Sequence, residues 1–160
     1  MTALSDPIEG AIDKMEIRQA TVADVDLIVP LFDAYRQFYR QPSDPERARR
    51  FLLARFEHNQ SIILLAFAAG VLIGFTQLYP SFSSGAMARI LILNDLYVDP
   101  AARKQGAASA LLAAAADYGR RIGAIRLELS TELSNTTAQA VYERMGWKRD
   151  TVFCTYRLAL

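Results

Sequence analysis

The 160-residue chain carries 18 Lys and Arg against 17 Asp and Glu, a formal charge of +1, so no broad field favours nucleic acid or an anionic membrane as partner. Hydrophobic residues at 52% and charged residues at 22% are an ordinary globular composition, long enough for one domain with a substantial core. One cysteine, Cys154, rules out an internal disulfide, and one histidine, His58, leaves little for a zinc site. No metal is therefore expected, and a cytoplasmic setting is the default.

Residues 1–14 contain Pro7 and Gly10 and are expected to form a loose extension, without the cationic start or apolar run of a secretory signal. A single domain is expected over 15–160, and no apolar segment reaches the ~20 residues that a membrane helix needs. From Lys14 to Ala20 apolar and polar residues alternate, as in a half-buried strand. Thr21 stands where a helix N-cap belongs, with Asp24 three residues on. Val25, Ile28, Val29 and Phe32 then recur at helical spacing and predict a helix from about Ala23 to Tyr39. After a break over Gln41–Pro45, Pro45 opens a second helix running to about His58. Its arginines, Arg47, Arg49, Arg50 and Arg55, read as a charged solvent face rather than a substrate or nucleic-acid patch.

Ser61–Ala68, the pair Ala69-Gly70 and Val71–Tyr79 predict a β-hairpin, followed by a Pro80–Gly85 loop. Ile90 to Val98 is rich in β-branched and aromatic residues, the composition of a strand covered on both faces. Asp99-Pro100 stops it, and a helix is expected to begin near Arg103–Lys104 and continue through Ala116. Ile125–Ser130 is the next strand, and Thr136–Met145 a helix closed by Gly146. Trp147–Thr151 and Phe153–Leu160 give one or two closing strands. The order β-α-α-β-β-β-α-β-α-β-β describes an α/β fold of the α+β mixed-sheet kind, with helices on the faces of the sheet.

The junction Arg103-Lys104-Gln105-Gly106-Ala107-Ala108-Ser109 is nearly bare of bulk. A helix start exposes unpaired N–H groups and partial positive charge, and here Gly106, Ala107 and Ala108 leave that backbone accessible. Ser109 adds a hydroxyl, and Arg103 and Lys104 add charge. Read alone, the stretch fits a diphosphate cradle and an alanine-rich core helix equally well. Neither G-x-x-x-x-G-K-[ST] nor G-x-G-x-x-G is present. Further on, Asn135 and Tyr142 lie seven residues apart and share a helix side, with Ala138 between them. That arrangement makes a groove floor with two polar tips, or a core tyrosine with an asparagine N-cap.

R-x-x-G-x-A over Arg103–Ala108, after a strand ending Leu-Tyr-Val-x-Pro, resembles the acetyl-coenzyme A motif of the GNAT superfamily of N-acetyltransferases. N-x-x-A-x-x-x-Y-E-x-x-G-W over Asn135–Trp147 resembles that superfamily's other coenzyme A motif, and I-R-x-A-T-x-x-D its first strand and helix. The resemblance runs from Met15 to near the C-terminus and implies the acyl-coenzyme A N-acyltransferase fold, with acetyl-CoA as cofactor. It implies that backbone groups of Leu96, Tyr97 and Val98 bind the pantetheine arm between splayed strands. Arg103 to Ser109 then hold the diphosphate, while Asn135, Ala138 and Tyr142 flank the thioester.

The implied reaction is attack of a neutral amine of a small molecule or peptide on the thioester, through a tetrahedral intermediate, expelling thiolate. By the same resemblance Tyr142 is the acid to sulfur, and a backbone N–H near Leu96 or Tyr97 polarises the carbonyl. Relatives often carry Glu-Asp where this chain has Asn94-Asp95. Asparagine is no base, so Asp95, or Glu128 or Glu132 through water, takes that role, unless Asp95 is a structural partner of a core arginine. Tyr35, Tyr39, Asn94 and the Pro80–Gly85 loop are the expected acceptor wall, with Phe38 assigned to the core. Asn-Asp-Leu-Tyr-Val and the aromatic first helix also resemble the small yeast-type group acting on histone tails, polyamines or D-amino acids. Association of that group through C-terminal strands implies a homodimer through Phe153–Leu160, or a self-contained strand there. Two other readings stand beside this one: a non-catalytic acyl-CoA sensor that has lost its base, and a doubly wound nucleotide-binding module.

Overall fold

The computed structural model describes residues 15–160; the expected loose extension over 1–14 lies outside them. They divide after Leu129 into two compact units. In the first, β1 (Met15–Gln19), β2 (Ile62–Ala68), β3 (Val71–Ser83), β4 (Ala88–Val98) and β5 (Leu127–Glu128) form one sheet in that order. The first four pair antiparallel, and β5 joins β4 in parallel. Helices α1 (Val25–Phe38) and α2 (Pro45–Glu57) pack together, and α3 (Ala107–Arg121) lies against β2, β3 and β4. Among the described residues no helix is long and apolar enough to cross a membrane.

Side-chain parity assigns the faces. Ile63, Leu65, Phe75 and Tyr97 join Val25, Ile28, Phe32 and Leu52 in one core beneath α1 and α2. Residues of opposite parity, such as Leu78 and Leu91, point the other way, where a Cβ on Gly119 of α3 would come within 3.6 Å of Leu91. Two residues tie the helices down. Asp24 pairs with Arg18 through two bonds of 2.8 and 2.9 Å, and also accepts the Thr21 N–H at 2.8 Å, in a capping box at the helix start. Asp33, buried in α1, accepts from Ser43 Oγ, the Asp44 N–H and Arg36, and so anchors the entry to α2.

Three boundaries differ from expectation, each for a local reason. β3 does not stop at Tyr79 but runs on through Pro80 to Ser83. β2 ends its pairing at Leu78, so beyond that point β3 is an edge strand, where a missing N–H is harmless. The helix expected near Arg103 starts at Ala107, because Pro100–Ala102 forms a separate 3₁₀ turn and Lys104 and Gly106 are left-handed, at φ 63° and 87°. The Ile125–Ser130 strand shrinks to Leu127–Glu128.

The second unit contains α4 (Thr136–Arg144), ended by Gly146 at φ 89° as expected. The closing strands expected over Trp147–Thr151 and Phe153–Leu160 are not there. Asp150 instead accepts the N–H groups of Val152 and Phe153 at 2.8 and 3.0 Å, turning the chain, and among the described residues no strand pairs with residues 154–160. The apolar alternation of Tyr156, Leu158 and Leu160 is left exposed.

Burial works against ionisation of Asp33, but the bonds from Ser43, Asp44 and Arg36 outweigh it and hold the carboxyl below its ordinary range. A depressed carboxylate stabilises above its unfolded value near ~3.9 and loses that contribution as pH falls. Asp33→Ala is therefore expected to lower unfolding free energy by about 2 kcal/mol at pH 7, because it removes the acceptor that Ser43, Asp44 and Arg36 share. Urea titration should find a smaller loss at pH 3.

Candidate active site

β4 carries one residue too many. Gln77 faces Asp95 and Leu78 faces Leu93, so Asn94 has no partner on β3 and forms a bulge. β5 follows β4 only at Leu91 and Ile92, and among the described residues no strand pairs with the outer edge of β4 from Leu93 to Val98. The sheet opens immediately past the bulge.

Hydrogen-bond alternation decides which amides line that opening. The Asp99 N–H donates to Ile73 C=O at 2.8 Å, so Asp95 and Tyr97 turn their backbone groups toward β3. Leu96 and Val98 turn theirs outward, and Arg103 Nε donates to Val98 C=O at 3.0 Å. Tyr97 thus offers the opening no amide. Its ring is buried against Phe75 and Tyr35 beneath α1, with the Arg103 guanidinium 5.6 Å from its centre.

The chain passes directly from this edge to the start of α3. Gly106 is its N-cap, left-handed at φ 87°, and no side chain caps the first turn. An added Cβ would meet nothing within 4 Å, so glycine here answers to backbone conformation rather than to crowding. Ala107 is buried, Ala108 and Ser109 half-buried, and Lys104 and Gln105 exposed. The first-turn amides lie behind no bulky side chain, the arrangement that accepts an anion. Arg103, engaged with Val98, braces the end of β4.

On the α1 side of the same bulge, Asp95 is 2% exposed. Gln77 Nε2 donates to one carboxylate oxygen, and Asn94 Nδ2 donates to the other at 2.8 Å. The Tyr35 hydroxyl donates to Asn94 C=O at 3.3 Å and lies close enough to Asp95 to act on its charge. Among the described residues no arginine pairs with Asp95. Burial raises its pKa, and the bonds from Gln77, Tyr35 and Asn94 offset only part of that. Burial, and then the charge of Asp95, push the Tyr35 phenol above its ordinary range, so it stays protonated. The Tyr79 phenol is pushed up to about 12 by the same two causes.

The structure brings the expected acceptor residues Tyr35, Tyr39 and Asn94 together. Asn94 is exposed, with its amide directed to Asp95, and Tyr39 sets its ring edge-on to Tyr35 at 5.1 Å. Phe38, expected in the core, is 55% exposed. Of the substitute bases, Glu128 is held by Arg126 at 2.7 Å on the surface, and Glu132 belongs to the second unit. In that unit Asn135 Oδ1 accepts the Ala138 N–H at 3.2 Å, so Asn135 caps α4. Tyr142 is half-buried, its ring 6.1 Å from Trp147. Sequence reasoning missed Gln77 and Tyr79. The signal was available: a lone amide within the apolar run of β3, and a tyrosine two residues on.

A family model described as the acetyltransferase (GNAT) family matches residues 28–147. The chain is 53% identical over 144 residues to the uncharacterized N-acetyltransferase YhfO of Bacillus subtilis, spanning 90% of this chain and 97% of that protein. A crystal structure of a probable acetyltransferase aligns at 45% identity with a TM-score of 0.86, over 91% of this chain and 97% of its own. At 23% identity, AAC(6')-Iy in complex with the bisubstrate analog CoA-S-monomethyl-acetylneamine shares the fold, with a TM-score of 0.76 over 92% of this chain and all of that one.

Carboxyl ¹³C shifts should show Asp95 titrating above the usual carboxylate range. Gln77→Leu, which deletes a bond favouring the ionised form, is expected to raise that midpoint further. A midpoint at or below ~4 would contradict the burial assigned to it.

Proposed function

The chain belongs to the GNAT acetyltransferase family, and on that premise we propose that it moves acetyl from acetyl-CoA to a primary amine of a small molecule or peptide, with residues 15–160 acting as one cytoplasmic catalytic domain. The observation that carries this reading is the continuity of the open β4 edge with the uncapped start of α3. The residues present suit the cofactor. Outward amides of Leu96 and Val98 complement a peptide-like pantetheine arm as an added strand would. Amides at Gly106, Ala107 and Ala108, with the Ser109 hydroxyl and Lys104, complement a diphosphate.

Bound acetyl-CoA supplies an acyl group already activated as a thioester. The Leu96 N–H donates to the oxygen on which negative charge develops. Asp95 takes the proton of the amine, passed through the Tyr35 hydroxyl, and its raised pKa makes it a better base than an exposed carboxylate. The family resemblance makes Tyr142 Oη the donor to the departing sulfur and gives Asn135 and Ala138 the neighbouring wall. A homodimer joined through the exposed alternation of Tyr156, Leu158 and Leu160 belongs to the same reading.

Acetyl-CoA at about 100 times its Kd should stabilise the protein by about 2.7 kcal/mol, a rise of a few degrees in Tm. NAD and ATP should have no such effect. Gly106→Val forces a branched side chain into the left-handed region and should weaken the acetyl-CoA response at least tenfold. Thiol release over an amine panel should drop about 100-fold in kcat for Tyr142→Phe, with KM little changed. Stabilisation by the nucleotides alone would discard the cofactor assignment, and an undiminished rate in the Phe variant would remove Tyr142 as the acid.

A further inference from the structure

A cleft of about 540 Å³ lies beside the C-terminal end of α2, lined by Phe51, Arg55, Asn59, Gln60, Tyr79 and Pro80. It sits on the same face of the sheet as Asp95, since Tyr79 comes two residues after Gln77 on β3 and Gln77 donates to the Asp95 carboxylate.

The charge lining this cleft is of one sign. The Arg55 guanidinium lies over Phe51, 4.6 Å from the ring centre, and its Nε–H is buried without an acceptor. The other arginines of α2 with acidic partners are engaged at the surface, Arg49 with Asp26 at 2.6 Å and Arg50 with Glu46 at 3.7 Å. Among the described residues no carboxylate pairs with Arg55. Asn59 and Gln60 bring side-chain amides, and Tyr79 brings a phenol that remains protonated at neutral pH. A planar cation held over an aromatic ring and flanked by neutral donors is suited to an oxyanion.

Tyr79 also shows how the cleft relates to the reacting side. Its hydroxyl feels the negative charge of Asp95 and the positive charge of Arg55. A molecule reaching from one to the other meets opposite fields at its two ends. The Asp95 end favours an amine, and the Arg55 end an anion.

We propose that this cleft anchors the acceptor, and that the acceptor is a small amine also carrying an anionic oxyacid group, carboxylate or phosphate, which Arg55 binds with Asn59 and Gln60. The inference rests on the acetyl-transfer reading for which end of the acceptor reacts; the anion subsite itself is tested without turnover. Isothermal titration of the full chain with 4-aminobutanoate, 3-aminopropyl phosphate and 4-aminobutanamide compares matched amines that differ in the far group. At least one anionic amine should bind tenfold or more tighter than the amide, and the tighter of the two names the oxyacid. Arg55→Ala should bring that ratio near one, and Arg55→Lys should retain part of it. Because the ratio is taken on one preparation, a reduced folded fraction leaves it unchanged. Equal affinities, no binding by any of the three, or a preference surviving in Arg55→Ala would overturn the proposal. An anion preference that persists while no amine releases thiol from acetyl-CoA would uphold the subsite and sink the transfer reading instead.

Discussion

A carboxylate buried in a sheet has to be supplied with donors, and the surroundings of Asp95 are organised to supply them. Gln77 reaches across from β3, Asn94 reaches back along β4, and Tyr35 comes down from α1. Each holds its own element in register with the others, because an unpaired buried charge would be far more costly than any one of these bonds. Compensation is incomplete, which is what leaves the group basic. A salt bridge to a core arginine would have stabilised the charge and made the site inert. Amide and phenol partners hold the geometry without quenching the proton affinity.

The same bulge separates two kinds of chemistry. Side chains beyond it on the α1 face are aromatic and titratable, including Tyr35, Tyr97 and Asp95. Backbone groups on the outer edge, from Leu96 and Val98, present only amide polarity and lead into the uncapped start of α3. On the proposed reading, proton handling and cofactor recognition draw on different atoms of one strand.

Much of this was legible in the sequence, and the exceptions share a cause. Strand β1, helices α1 and α2, the hairpin and β4 announce themselves by periodicity, because each buries one face against a large partner. The extension of β3 through Pro80 was not legible, since proline argues against a strand unless the lost N–H is known to lie at an edge. The late start of α3 depended on left-handed Lys104 and Gly106, and a lysine at φ 63° leaves no compositional trace. Trp147–Leu160 has the alternation of a strand but no ladder partner among the described residues, and alternation alone supplies none. Arg55 reads in the sequence as one surface cation among its neighbours; its i,i+4 contact with Phe51 is helical spacing, but only the folded chain buries its Nε–H.

The extra residue at Asn94 also bears on how such a chain could lose its activity. In β4, two residues stand against one, so Leu93 and Asp95 point to opposite faces although they are two apart. Loss of the Asn94 codon alone would leave every other side chain on its present face and every core contact available. The bend at the bulge would go with it. Such an in-frame deletion would keep the pleat and the core while taking from Asp95 the amide that Asn94 donates, so its cost would fall on one buried carboxylate rather than on the sheet.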